Sequence, residues 1–113
     1  MNWTSAAKEF TDDYRRLAEI TSIEELCEAQ AESRMEFNYG YWTALKLNSM
    51  GLYQLGHVAN NTANISEELL DRTEPLDRCY VINRSAMKLL SKKCDSLQRV
   101  LTSYNDDGKQ TIS

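Results

Sequence analysis

A chain of 113 residues with 42% hydrophobic and 27% charged content suits one domain with a modest core and argues against global disorder. Its net charge of −4, with acids interspersed among the bases and no compact basic patch, argues against nucleic acid as a partner. One Pro and four Gly are sparse turn chemistry and favour a few long helices over many short strands. The expected fold is therefore all-α: a small bundle of three to five helices, one domain over residues 1–105, and a flexible tail over 106–113.

The spacing predicts a first helix from near Thr4 to Ile20. Trp3, Ala7, Phe10, Tyr14 and Leu17 recur at three- and four-residue steps, while Lys8, Glu9, Asp12, Arg15 and Arg16 face water. A second helix starts at Ser22, where Ser22 and Glu25 form a capping box and the early acids complement the helix dipole. It carries Ile23, Leu26 and Cys27 and continues through Gln30 and Met35 toward Phe37. Gly40 marks either a local break or a place where a partner approaches closely.

Between Glu36 and Glu67 the only fully charged residue is Lys46. Read as a helix, this stretch places Trp42, Leu45, Leu52 and Tyr53 on one side and Leu47, Met50, Leu55 and Val58 nearly opposite. Such a helix is either the centre of a bundle or a helix with one face against a partner. Trp42, Leu45, Leu52 and Tyr53 are the candidate binding face. Asn60 to Asn64 reads as a loop, and Asn64 or Ser66 caps a short helix with Ile65, Leu69 and Leu70 that ends near Thr73.

Pro75 suits the first turn of a last helix. Tyr80, Met87, Leu90, Cys94, Leu97, Leu101 and Tyr104 keep a heptad rhythm, with Asn83 at the polar seam position. Met87, Leu90, Cys94, Leu97, Leu101 and Tyr104 form a coiled-coil-like seam that serves packing within the chain or self-association into a homo-oligomer. Asn105 to Gly108 stops the helix.

Enzyme chemistry finds little support. His57 is the only histidine and has no carboxylate nearby in sequence, so it reads as structural. Cys27, Cys79 and Cys94 lack C-x-x-C spacing, which leaves zinc and dithiol chemistry without ligands; no metal or cofactor is expected. The odd cysteine count and the absence of a signal-like start predict reduced thiols and a cytoplasmic location. No apolar run is long enough to span a bilayer. Asn2-Trp3-Thr4, Asn60-Asn61-Thr62, Asn64-Ile65-Ser66 and Asn83-Arg84-Ser85 match the glycosylation triplet, and without a secretory route they read as chance matches or caps. Glu24, Glu25, Glu28, Glu32 and Glu36 read as a solvated acidic face.

Leu17 to Leu26 followed by Gln30, the aromatics Phe37 and Tyr41, the apolar run through Leu45-Lys46-Leu47 and Leu52-Tyr53, and Glu74-Pro75-Leu76 together resemble the phasin family, whose members coat polyester storage granules. The resemblance covers roughly residues 17–76. It implies a non-enzymatic protein that lays an amphipathic helix on a hydrophobic granule surface. The alternative expectation is a small acidic helical adaptor or inhibitor of the chaperone, phage-inhibitor or immunity type, binding one specific protein.

Overall fold

A computed structural model describes residues 1–10, 15–32, 35–36, 39–71, 78–106 and 109–112, with backbone alone at 15, 32, 102–106 and 109–112. The fold is mainly β, which corrects the expectation of an all-α helical bundle. Two helices are present among the described residues, α1 (Trp3–Glu9) and α2 (Ile23–Glu32). The strands are β1 (Arg15–Leu17), β2 (Tyr41–Leu47), β3 (Tyr53–Leu55), β4 (Arg78–Ile82), β5 (Leu90–Lys93), β6 (Arg99–Val100), β7 (Thr102–Asp106) and β8 (Lys109–Ile112). One sheet runs β3-β2-β4-β5 in antiparallel order, with β6 parallel to β2; the other runs β1-β7-β8.

The misreading has a physical cause. Side chains alternate across β2 and β4, and both faces of the sheet are buried. Tyr41, Leu45, Leu47, Tyr80 and Ile82 pack with Ile20, Leu26, Ala29, Met35, Leu69, Leu89 and Leu101. Trp42, Ala44, Cys79 and Val81 pack with Trp3, Ala6, Ala7 and Leu17 on the other side. A strand covered on both faces is written as a nearly continuous apolar run, and so is a helix buried all round. Periodicity does not separate the two.

The coiled-coil seam fails for a related reason. Leu90 lies in β5, Leu101 sits between β6 and β7, and Tyr104 lies in β7. Met87 and Leu97 stand in the connections between strands, 87% and 77% exposed. A seven-residue recurrence carries no seam when turns interrupt the chain.

Elsewhere the local chemistry acts as read. The Glu25 N–H donates to Ser22 Oγ (3.2 Å), and the Thr21 and Ser22 hydroxyls donate to Glu25 Oε1 at 2.7 and 3.3 Å, so the cap starts α2 where expected. Helix α2 ends at Glu32, and Phe37 lies outside the described residues. The first helix ends at Glu9, because Arg15–Leu17 pairs with β7 instead. Tyr14, Thr73 and Pro75 also lie outside the described residues. The expected helix after Asn64 is one 3₁₀ turn, Glu67–Leu69. Gly40 is crowded by side chains of its own chain and not by a partner: a Cβ there would meet Gln98 Oε1 at 2.8 Å and Val81 Cγ2 at 3.4 Å. No described helix is long and apolar enough to cross a membrane.

The expectation of three reduced thiols is also corrected. Arg78 pairs with Lys93 across β4 and β5, which brings Cys79 and Cys94 to a Cα separation of 5.1 Å, and they form a disulfide. Cys27 is an exposed free thiol on α2. The Trp3 N–H donates to the Cys94 carbonyl (3.0 Å), and the Gln98 N–H donates to the Met1 carbonyl (3.0 Å), so the turn after β5 holds the start of α1.

Closing a loop of this length restricts the unfolded chain by about 3 kcal/mol in the chain-entropy description. Reduction, or replacement of both Cys79 and Cys94 by Ala, should lower stability by about that amount in urea denaturation. It should also speed amide exchange at Trp3 before exchange at Leu45 rises, since Trp3 is tied directly to Cys94 and Leu45 is not.

Candidate functional site

A cleft of about 180 Å³ opens where α1, β1, β2 and β3 meet. Ala7 and Phe10 come from α1 and its end, Arg16 and Leu17 from β1, Glu19 from the segment after it, Ala44 from β2, and Leu55 from β3. Gly56, His57, Val58 and Asn61 complete the rim.

Backbone pairing fixes these walls. The Ala44 N–H donates to the Ala18 carbonyl (2.9 Å), and the Gly56 N–H donates to the Ala44 carbonyl (2.8 Å). The Leu55 N–H donates to the Asn61 carbonyl (2.8 Å), while Asn61 Nδ2 donates to the Leu55 carbonyl (3.0 Å). Gly56 turns the chain at φ +76°, a left-handed conformation that costs other residues about 1–2 kcal/mol. With that turn in place His57 and Val58 stand exposed at the mouth, Val58 at 49%.

The floor is apolar, from Ala7, Leu17, Ala44 and Leu55. The rim carries one guanidinium, one carboxylate, one imidazole and one carboxamide. Arg16 and Glu19 are half-buried, and neither side chain has a hydrogen bond or ion pair to a described residue. No Ser, Thr or Cys lines the cleft, and no group of three or more His, Cys, Asp or Glu capable of holding a metal ion occurs among the described residues. The arrangement can bury an apolar group and meet a polar or charged one at its edge.

The sequence-predicted binding face is dispersed. Trp42 and Leu45 are both fully buried, on opposite sides of β2. Tyr53 is half-buried against the core, with its ring centroid 6.5 Å from that of Tyr80. Leu52 is 48% exposed beside Met50, 67% exposed. These two stand on the β2–β3 turn because Asn48 Oδ1 accepts from the Met50 and Leu52 N–H groups at 3.0 and 3.1 Å. Within the predicted seam, Leu101 is buried, Leu90 and Cys94 are half-buried, Met87 and Leu97 are exposed, and the Tyr104 side chain lies outside the description.

Sequence reasoning missed Arg16, Glu19 and Asn61 and took His57 as structural. The only available signal was the His57-Val58 pair after Gly56, an apolar and a titratable side chain next to a turn glycine. No known family model matches this chain, and no curated protein matches it.

Position along the hairpin should separate packing from exposure. Leu45→Ala should cost about 3 kcal/mol in urea denaturation, as a leucine removed from a close-packed interior does. Leu52→Asp should change stability by less than about 0.5 kcal/mol.

Proposed function

We propose that this chain is a non-enzymatic binding protein that anchors one apolar side chain of a protein partner in the cleft between α1 and β3. The observation that carries this reading is the size of the cleft with its two-part lining. About 180 Å³ is small beside the roughly 300–1,000 Å³ of sites that enclose a drug-sized molecule. It suits a single aliphatic or aromatic side chain. An apolar floor ringed by Arg16, Glu19, His57 and Asn61 has the anatomy of an anchor pocket: a dry centre with polar groups at the edge.

The overall charge of −4 supports a basic partner, since complementary charge speeds encounter and suppresses wrong partners. The Cys79–Cys94 bond supports an oxidising compartment in place of the cytoplasm expected from the cysteine count. In that setting the module would meet its partner outside the reducing cytosol.

Capped single-residue amides serve as probes. The methyl resonances of Ala44, Leu55 and Val58 should shift on addition of leucine or phenylalanine amides at millimolar concentration, and should not shift with glycine amide. Burying one such side chain contributes about 1.5–3 kcal/mol, or roughly ten- to a hundredfold in affinity. Ala44→Leu, which fills the floor, should weaken the probes by that factor, and so should Val58→Asp at the exposed rim. Spectra that ignore every apolar amide while the protein stays folded would exclude the anchor site.

A further inference from the structure

Four glycosylation triplets are present in a chain that has eight Asn and eighteen Ser or Thr. That composition yields roughly one match by chance, so four is an excess. The Cys79–Cys94 disulfide fits an oxidising, secretory setting, where such triplets meet the transferase.

The fold sorts the four. Asn2 is half-buried and caps α1, its Oδ1 accepting from the Ser5 N–H at 2.9 Å. Asn83 is half-buried, with its Oδ1 accepting from the Ser85 N–H (3.1 Å) and its carbonyl from Gln30 Nε2 (3.1 Å). Both triplets therefore serve local structure. Asn60 and Asn64 are different: both are exposed, and neither side chain is engaged by a described residue. Their partner hydroxyl residues, Thr62 and Ser66, are exposed as well. The backbone between them is held, with the Thr62 N–H on the Asn60 carbonyl (3.1 Å) and the Ala63 N–H on the Tyr53 carbonyl (2.9 Å).

We propose that Asn60 and Asn64 are acceptors for N-linked oligosaccharide. In the transfer, Nδ2 of the asparagine attacks the anomeric carbon of a lipid-pyrophosphate-linked oligosaccharide. The bond from that carbon to the phosphate oxygen breaks and the carbon–Nδ2 bond forms. The lipid pyrophosphate leaves with the electron pair, and a base of the transferase takes the Nδ2 proton. The segment that bears both sites lies along the outer edge of β3, bridging Gln54 to Thr62. Glycans there would stand outside the β3 edge that the Asn61–Ala63 backbone already covers.

This inference rests on the oxidising compartment and not on the anchor cleft. The test uses protein isolated from the cells that make it. Peptide-N-glycosidase treatment in ¹⁸O-water should convert residues 60 and 64 to ¹⁸O-labelled aspartate, with no label at 2 or 83 and none in untreated protein. Thr62→Ala should remove the label at 60 alone, and Ser66→Ala the label at 64 alone. Absence of label at 60 and 64, label at one of them only, or label confined to 2 or 83 would overturn the assignment. Thiol alkylation of the same sample keeps the two readings apart: an oxidised Cys79–Cys94 pair without label rejects the glycans and keeps the compartment, whereas free thiols at both reject the compartment.

Discussion

Burial on both faces of β2 and β4 is the constraint from which the rest of this fold follows. A five-stranded sheet of this size has to cover two surfaces with few elements. Helix α2 and the segments around Ile20, Met35 and Leu69 close one face, and α1 with Leu17 closes the other. Both indoles and the Thr43 hydroxyl taken inside are hydrogen-bonded. Trp3 Nε1 donates to the Thr43 carbonyl (2.9 Å), Trp42 Nε1 to the Met1 carbonyl (2.8 Å), and Thr43 Oγ1 to the Tyr80 carbonyl (2.9 Å). The two tryptophans thus work as apolar mass and as hydrogen-bond donors at once. Lys46 stands 5.3 Å over the Trp3 ring, so the one charge in the central strand is met by an aromatic face.

The same arrangement couples parts of the chain that are distant in sequence. Helix α1 has seven residues, too few to be stable alone. It holds because Trp3 is clamped from two sides, by Thr43 through its indole and by Cys94 through its backbone. Since Ala7 and Phe10 form a wall of the cleft, the disulfide, the docked helix and the cleft form one connected unit. A cleft built from a short helix on a stiff sheet is positioned by tertiary contacts and not by local propensity.

The exposed apolar residues fall into place on this view. Met50 and Leu52 project from a turn that Asn48 organises, and Val58 stands at the cleft mouth after Gly56. Lys92 and Lys93, exposed on edge strand β5, supply the charge that discourages strand addition there. On the opposite edge the segment from Asn61 to Ala63 covers β3.

Several features were legible from residue order alone. The Ser22–Glu25 cap starts a helix because the interaction is local. The charge-poor stretch from Glu36 to Glu67 marked material to be buried, and Trp42, Leu45 and Leu47 are inside, whereas Met50, Leu52 and Val58 are exposed. What that stretch could not reveal was the period of its conformation, since YWTALKL satisfies a doubly buried strand and a central helix alike. The cleft was hidden for a stronger reason. Arg16, Ala44, His57 and Asn61 come together only through strand register and a long-range pairing of Ala18 with Ala44. Short-range chemistry decided the caps and the turns. The strand pairing, the cysteine bond and the assembly of the site required contacts between distant residues, whose free energy exists only once the whole chain has closed around its sheet.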